Sequence, residues 1–274
     1  MRLFLTTVFI FTSFLIISLW SEVLRSPFAE IAFLDVGQGD AIYIESPHGH
    51  QVLIDGGPNT TVLSKLSEVM PHWDKTLDVI ILTHPDADHI AGLIPVLESF
   101  EVKMVVWTGK TRDTRVFEAW KDAVEREGAE FVAVAAGDRI VLGNSGVVLD
   151  VLYPFPNIVL EEEETNETSL IMRMRYGEHS MLLTGDTTRT IEEVLVEEGV
   201  SLRSDILKVA HHGSQTSTSS EFVRTVAPHT AVISAGEDNR FGHPHDSVLA
   251  NLAEYGIVVR RTDKEDTIVI YLKL

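Results

Sequence analysis

The chain has 274 residues and a formal charge of -19 at pH 7, from 41 acidic and 22 basic side chains. It contains no cysteine, which excludes disulfides, thiolate metal sites and cysteine nucleophiles. The acidic excess argues against tight nonspecific binding to nucleic acid, because such binding depends on lysine and arginine contacts with phosphates. A chain of this length can bury a substantial core in one large domain or two small ones.

The first segment is typical of a membrane signal. Residues 3–20 are apolar and uncharged and follow Arg2, with a length between that of a signal-peptide core and that of a spanning helix. The segment provides no good pair of small residues, spaced as a signal-peptide cleavage site requires. Trp20, at its end, suits an anchor at the membrane interface. We therefore expect residues 1–21 to be an apolar signal-anchor helix that leaves the rest of the chain outside the cytoplasmic membrane. If this segment is cleaved, the protein is secreted.

Residues 22–29 are predicted to be a linker, and residues 30–274 are predicted to be one domain. Apolar segments bounded by glycine, proline and aspartate predict strands, and amphipathic segments predict helices. The predicted strands are residues 31–36, 41–45, 51–54, 79–83, 101–108, 131–135, 139–142, 147–152, 169–176, 180–184, 206–210 and 231–235, with 257–261 and 267–272 as a closing pair. The predicted helices are residues 60–70, a helix beginning near 90, and residues 114–127, 189–198, 220–226 and 247–255. Strands in two batches, each followed by helices, predict an α/β fold, a four-layer αββα sandwich.

One turn concentrates side chains that can bind a metal. The residues His84-Pro85-Asp86-Ala87-Asp88-His89 lie between a predicted strand and a predicted helix. Two imidazoles and two carboxylates in this mix suit zinc, manganese or iron. The alternative for this turn alone is a solvated acidic loop with two incidental histidines.

Residues of the same type close or follow other predicted strands. These residues are Asp35, Asp55, Asp186, the pair His211 and His212, and, after a loop, His243. Ligands at strand ends converge at one edge of a sheet, where open α/β folds place their sites. Each of these residues alone is weak evidence, but the whole set in this order favours a dispersed metal site.

Together these motifs resemble the metallo-β-lactamase fold superfamily, whose signature His-x-His-x-Asp-His corresponds to residues 84–89. More narrowly, the chain is similar to the hydrolase-like domain of ComEC-type competence proteins, which characteristically carry aspartate at the second histidine, as Asp86 does here. The similarity covers about residues 30–272 and rests on residues 34–40, 53–57, 83–93, 166–170, 184–186, 208–219 and 242–245. The multi-span channel of full ComEC proteins is not expected here, so a role in DNA uptake does not transfer automatically.

The resemblance implies two divalent metal ions and a set of ligands. His84 and Asp86 would hold one metal, Asp88 and His89 would hold the second, and Asp186 would bridge both. One of His211 and His212 would complete the site, and the sequence leaves open which one. Carboxylate-rich ligation favours manganese over zinc, because hard oxygen ligands suit manganese.

The resemblance also implies hydrolysis of a phosphodiester. A water bridging the two cations would attack phosphorus as hydroxide. His243, or the free member of the pair His211 and His212, would protonate the leaving oxygen, so Asp88, His211 and His243 are the candidate catalytic residues. Four further residues are interpreted as groups that orient ligands and loops, with ordinary turn capping as the alternative: Asp35, Gln38, Asp40 and Asp55.

One departure from the superfamily pattern concerns the first metal. Between His89 and Asp186 the only histidine is His179, in a predicted Gly-Glu-His turn, so the third histidine motif is missing. Asn166, a weak ligand, would stand nearby instead and would leave the first metal under-coordinated.

Three functions follow from these observations. The first is a membrane-anchored phosphodiesterase or nuclease that acts on DNA. The second is a hydrolase of a small or cell-envelope phosphodiester, such as a phosphorylcholine ester, which the acidic charge mildly favours. The third is a non-catalytic module of a DNA-uptake machine, which the missing histidine supports. The near-complete ligand set favours an enzyme over this last function.

Overall fold

The computed structural model describes residues 28–156 and 165–274. The predicted signal-anchor helix at residues 1–21 and most of the predicted linker lie outside the described residues. Phe28 and Ala29, at the end of that linker, belong to the first strand instead. Within the described ranges, every helix is too short or too polar to cross a bilayer.

Fourteen strands in the described part of the chain form two seven-stranded sheets. The strands are β1 (Phe28–Phe33), β2 (Ile42–Glu45), β3 (Gln51–Ile54), β4 (Thr76–Ile81), β5 (Glu101–Trp107), β6 (Glu130–Ala133), β7 (Arg139–Val141), β8 (Val148–Tyr153), β9 (Ile171–Tyr176), β10 (His179–Leu183), β11 (Ile206–Lys208), β12 (Thr230–Ile233), β13 (Val258–Arg261) and β14 (Ile268–Lys273). The first sheet has the order β14-β1-β2-β3-β4-β5-β6, and the second has the order β13-β12-β11-β10-β9-β8-β7.

Helices cover the outer face of each sheet. Those in the described ranges are α1 (Thr61–Val69), α2 (Ala87–Ile90), α3 (Leu93–Ser99), α4 (Arg115–Glu127), α5 (Arg189–Glu197), α6 (Ser220–Val226), α7 (Asp246–Glu254) and α8 (Thr262–Glu265), with 3₁₀-helices at Thr165–Thr168 and Ala210–Gly213. Helix α4 begins where the Thr114 hydroxyl accepts a hydrogen bond from the Phe117 amide, and it ends at Gly128, whose φ is 75°.

The central strands are buried on both faces, and alternate residues contribute to different cores. In β3, Val52 packs in the core between the two sheets, whereas Leu53 packs against α1, α3 and α4. In β10, Met181 faces the core between the sheets, whereas Leu182 packs against α5 and α6. Helix, sheet, sheet and helix therefore form four layers, and the predicted αββα sandwich is confirmed.

The predicted closing pair is wrong. Strand β13 pairs in parallel with β12 in the second sheet, and β14 pairs antiparallel with β1 in the first sheet. The short helix α8 lies between them and carries the chain from one sheet to the other. The Thr262 hydroxyl fixes this crossing, because it donates to the Ala235 carbonyl at 3.1 Å and accepts from the Ala235 amide at 3.0 Å.

Parallel strands bring the predicted site residues to one edge of the sandwich. Strands β3 and β4 run in parallel in the first sheet, as do β10, β11 and β12 in the second. Since the chain leaves all five strands at the same edge, the loops that follow them meet there. Strand β1 runs in the same direction as β3, because β2 is antiparallel to both, so β1 begins at the opposite edge.

Candidate metal centre

Four side chains converge at this edge: Asp88, His89, Asp186 and His212, called the Asp186 cluster below. One potential ligand atom from each lies within 4.8 Å of the others. Oδ2 of Asp186 lies 3.3 Å from Nε2 of His89 and 3.2 Å from Nε2 of His212. Oδ2 of Asp88 lies 3.6 Å from Nε2 of His212. Asp186 is thus the central carboxylate, which is the position expected of a bridging ligand.

Three buried imidazoles around Asp186 share one arrangement, in which Nδ1 contacts a neighbour and Nε2 has no hydrogen-bond partner. The Nδ1 contacts are His84 with Oγ1 of Thr83 at 3.0 Å, His89 with Oδ2 of Asp55 at 2.8 Å, and His212 with the carbonyl of Ser234 at 3.0 Å. The Nε2 atoms, together with Oδ1 of Asp186, are buried without a hydrogen bond. A buried polar atom without a partner is costly. In metal sites, a ligand histidine is typically held by a protein contact to one ring nitrogen while the other binds the metal. The residues present therefore fit a divalent metal.

The electrostatics of the Asp186 cluster also suit a cation. Burial opposes charge on His89 and His212, but the neighbouring carboxylates, Asp186 foremost, together outweigh it and raise the pKa of both imidazoles well above the ordinary value. The same imidazoles overcome the desolvation of Asp186 and hold its pKa well below the usual range. His84 lies outside this balance: burial, with His89 beside it, lowers its pKa to about 4. A site with this negative potential attracts a metal ion.

The backbone separates the roles of the two adjacent histidines. Strand β11 ends at Lys208 rather than at residue 210, and the chain then turns through two left-handed residues, His211 (φ 50°, ψ 45°) and His212 (φ 56°, ψ 20°). Such conformations cost about 1–3 kcal/mol each and concentrate at functional sites. The turn buries His212 in the Asp186 cluster and leaves His211 at its rim, with Nε2 3.9 Å from Oδ2 of Asp186. Strand periodicity could not predict this outcome.

The other predicted ligands lie at the margin of the site. Asp86 precedes α2 and forms an ion pair with Arg112, and it is not part of the Asp186 cluster. Asn166 lies in a 3₁₀-helix, and its carbonyl accepts a hydrogen bond from the Ser169 amide at 3.1 Å. The Ser169 hydroxyl in turn accepts from the Asp186 amide at 3.1 Å, so this segment supports the central carboxylate. The ligand role of Asp86 stays a prediction.

The four residues interpreted as orienting groups differ in what they contact. The buried carboxylate of Asp55 accepts a hydrogen bond from the Thr83 hydroxyl at 2.7 Å. It also contacts Nδ1 of His89. Asp40 forms an ion pair with Lys208 and lies 3.5 Å from Nδ1 of His212. The remaining two act on loops, because Asp35 accepts from the Gly37 amide at 3.1 Å and Gln38 from the Gly236 amide at 3.4 Å.

His243 lies beside the two adjacent histidines, at the outer side of the site. Its ring centroid is 5.7 Å from that of His211 and 6.5 Å from that of His212. Burial, together with the positive charges of His212 and His211, lowers the pKa of His243 to about 4, so its imidazole is neutral at pH 7. Its role as the proton donor to a leaving oxygen stays a prediction. His179, expected in a turn, is instead the first residue of β10.

Sequence reasoning missed Lys208 as a site residue. Its side chain is 1% exposed, forms an ion pair with Asp40, donates to the Gly185 carbonyl at 3.3 Å and lies 3.9 Å from Oδ1 of Asp186. Burial would raise the pKa of Asp40, but the Lys208 ammonium and His212 lower it to about 2. A lysine within the apolar segment Ile206-Leu207-Lys208-Val209-Ala210 was the available signal, because buried lysines are rare unless paired.

The turn that carries Asp40 depends on one close approach. A Cβ atom on Gly39, whose φ is 139°, would lie 2.2 Å from the carbonyl oxygen of Asp88. Only glycine can occupy this position, because both its dihedral angle and the available space exclude a side chain. The motif Gly37-Gln38-Gly39-Asp40 therefore packs directly against the first turn of α2.

The sequence profile described as the Metallo-beta-lactamase superfamily matches residues 34–237, and the chain belongs to this superfamily. Over 260 residues the chain is 34% identical to ComE operon protein 3 of Bacillus subtilis, covering 87% of this chain and 32% of that protein. It is 30% identical over 244 residues to Recombination protein 2 of Haemophilus influenzae, covering 87% of this chain and 28% of that protein. The chain thus spans about a third of the length of these curated relatives. The predicted resemblance to ComEC-type competence proteins is confirmed.

Solved structures show the same fold at low identity. The metallo-β-lactamase fold protein YhfI of Bacillus subtilis has a TM-score of 0.59 at 14% identity, over 88% of this chain and 99% of that one. A diphosphatase from the PhnP family has a TM-score of 0.53 at 17% identity, over 89% of this chain and 98% of that one. Members of this superfamily typically bind two divalent metal ions.

We predict that Lys208→Met destabilises the protein by about 3–5 kcal/mol, because it leaves the Asp40 carboxylate buried without its partner. Guanidinium unfolding measures this loss. The matched control is Lys103→Met, which removes an ion pair with Asp78 from a lysine side chain that is 63% exposed. Exposed pairs of this kind contribute less than about 1 kcal/mol. Equal losses for the two variants would contradict a structural role for the buried pair.

We also predict that metal binds to the Asp186 cluster. A divalent ion at a hundredfold excess over its Kd stabilises the folded state by about 2.7 kcal/mol, which raises the Tm of a chain of this size by about 5–10 °C. Addition of Mn²⁺ should therefore raise the Tm of the wild type, and Asp186→Asn should abolish most of that increment. Asp150→Asn, which alters a carboxylate paired with Arg139 and Arg175, should retain the increment. A full increment in Asp186→Asn would rule out this site.

Proposed function

We propose that this protein is a dinuclear metal-dependent phosphodiesterase that cleaves DNA. The observation that carries the proposal is that the unpartnered Nε2 atoms of the buried His89 and His212 both lie close to the carboxylate of Asp186, with the His84 ring beside that of His89 and its Nε2 also unpartnered. Two bound divalent ions supply Lewis acidity and an activated water for attack on phosphorus. The curated relatives are named for competence and recombination, which supports DNA as the substrate.

The residues divide into those that hold the ions and those that act on the substrate. Asp88, His89 and His212 would hold one ion, and His84 would be the principal ligand of the other, with Asp186 between them. The carboxylates of Asp88 and Asp186 among the ligands favour manganese, because hard oxygen ligands suit it. The support provided by Thr83, Asp55 and Ser234 keeps the rings in position without rearrangement when substrate binds.

Proton transfer to the leaving oxygen falls to residues at the outer rim. His211 is partly exposed, and its Nδ1 lies 3.3 Å from the Thr216 hydroxyl. Its ring therefore has a fixed orientation, while Nε2 remains near Asp186. His211 and His243 are both placed to meet a substrate that approaches the Asp186 cluster from solvent. Either would donate a proton only as imidazolium, the form that the negative charge of a bound phosphodiester favours.

The second candidate substrate is a small or cell-envelope phosphodiester at the same site. The formal charge of -19 favours it, because a negatively charged surface repels a long polyanion unless bound cations compensate. A non-catalytic module of an uptake machine is less well supported. Buried imidazoles without a partner are costly to maintain unless a ligand binds them.

We further propose that residues 1–21 anchor the protein as a single-pass segment, with the catalytic domain on the outer side of the cytoplasmic membrane. The support is the uncharged apolar run of residues 3–20, preceded by the charge of Arg2 and ended by Trp20, which suits an interfacial anchor. A phosphodiesterase in this position meets DNA or envelope components before they reach the cytoplasm.

Activity on two substrates tests the proposed reaction. The Mn²⁺-loaded full chain should hydrolyse both single-stranded DNA and bis-p-nitrophenyl phosphate. Asp186→Asn should reduce both rates at least about 100-fold, since loss of even a supporting group around a metal reduces activity by 10–100-fold. Asp150→Asn should retain both rates. Turnover of the small ester without cleavage of DNA would exclude the nuclease and leave the second candidate. No turnover of either substrate by the metal-loaded protein would exclude both.

Fractionation of cells that express the full chain tests the proposed anchor. The chain should sediment with membranes, and protease added outside spheroplasts should degrade its catalytic domain. A variant that lacks residues 1–27 should stay in the cytoplasmic fraction and resist the protease. A full chain protected from external protease would contradict the orientation, and a mass that lacks the first segment would show that it is cleaved.

A further inference from the structure

A pocket of about 560 Å³ lies directly beside the Asp186 cluster. Its wall includes Asp88, a member of that cluster, and the ring of Phe241 on the loop after β12. We call this cavity the Phe241 pocket. Val36, Pro58 and Ala87 make much of the remaining wall apolar. A volume of this size accommodates a ligand the size of one nucleotide.

The aromatic ring in this pocket is exposed, although its loop is held in place. Phe241 is 53% exposed, so its ring contributes little to the core. The side-chain Oδ1 of Asn239 accepts hydrogen bonds from the Phe241 amide at 3.2 Å and the His243 amide at 3.0 Å. The Asn239 side-chain NH₂ donates to the Gly236 carbonyl at 2.9 Å, and the Gly236 amide donates to Oε1 of Gln38 at 3.4 Å. The loop thus presents an exposed aromatic ring on a fixed backbone.

The Phe241 ring connects the pocket with the metal site and carries a positive charge beside it. Its ring stacks on His243 with centroids 5.7 Å apart and planes at 22°. The Arg240 guanidinium lies over the same ring, 4.8 Å from its centroid. Among the described residues that line the pocket, Arg240 is the one cationic residue and Asp88 is the one anionic residue. Once Asp88 binds metal, the wall offers a phosphate only positive charge.

We infer that the Phe241 pocket binds one base of a single-stranded DNA substrate next to the scissile phosphate. The base stacks on the Phe241 ring, and the Arg240 guanidinium moves from over that ring to contact the flanking phosphate. Aromatic rings and arginine planes bind single-stranded bases in this manner irrespective of sequence. A choline headgroup fits this pocket poorly, because Arg240 repels a quaternary ammonium from the ring that would bind it. The inference rests on the proposed function, since it assigns the substrate class of that site.

Binding of two strands that differ only in their bases tests this inference. The full chain in detergent with Mn²⁺ is titrated into labelled phosphorothioate oligothymidylate, which resists cleavage, and into the abasic strand with the same backbone, with fluorescence anisotropy as readout. Stacking of one base on an aromatic side chain should give the wild type a preference of about tenfold for the strand with bases. Phe241→Leu should remove that preference, and Phe241→Tyr should preserve it.

Two further variants separate the stacked base from other effects. Phe131→Leu alters a similarly exposed aromatic residue, 45% exposed, in β6 of the other sheet, and it should leave the preference unchanged. Arg240→Gln should weaken binding of both strands by the same factor and reduce the slope of log K against log salt by about 0.7. The increase in Tm on addition of Mn²⁺ confirms that each variant is folded and has an intact metal site.

The outcomes distinguish this inference from the proposed function. Equal binding of the two strands by the wild type, no binding of either strand, or a preference that survives Phe241→Leu overturns the base site. The metal-dependent hydrolysis of bis-p-nitrophenyl phosphate by the wild type is measured independently, and it can persist when the base site fails. A base preference that depends on Phe241 in a protein without hydrolytic activity supports the site and contradicts the enzyme.

Discussion

The position of the metal centre depends on one buried ion pair that joins the two sheets. Lys208 ends a strand of the second sheet, Asp40 lies in a turn of the first sheet, and both side chains are almost wholly buried. Neither charge is stable there without the other. The same ammonium also donates to the Gly185 carbonyl, at the turn that carries Asp186. Sheet stacking and placement of the central carboxylate therefore depend on the same contact.

Much of the fold and the approximate place of the site follow from the sequence, because apolar runs define the strands and the ligands follow parallel strands. What the sequence could not predict depends on local backbone geometry and on long-range charge pairing. The choice between His211 and His212 results from two left-handed residues that interrupt the period of the strand. Asp86 and Arg112 are 26 residues apart, so no local sequence pattern indicates that they pair. The partner of Lys208 is likewise evident only in three dimensions.

The net negative charge of the chain does not exclude DNA as the proposed substrate, because the charge that acts on a bound strand is the local charge at the site. A net charge of -19 opposes long-range attraction of a polyanion. Within reach of the Asp186 cluster, bound cations would neutralise Asp88 and Asp186, and Arg240 adds a positive charge at the pocket wall. Binding of this kind would be short-range and metal-dependent. It would select a strand already delivered to the site and would not collect nucleic acid nonspecifically.

The direction of the first strand has a consequence for how the protein meets its substrate. Strand β1 begins at Phe28, paired with Lys273 near the end of the chain, and the loop after β1 leads to the edge that carries the metal ligands. A six-residue strand spans about 20 Å. If residues 1–21 form the proposed anchor, the chain enters the domain at the starting edge of β1, opposite the edge that carries the candidate metal ligands. Under both proposals, a strand that arrives from outside the cell would meet the metal ligands before it meets the bilayer.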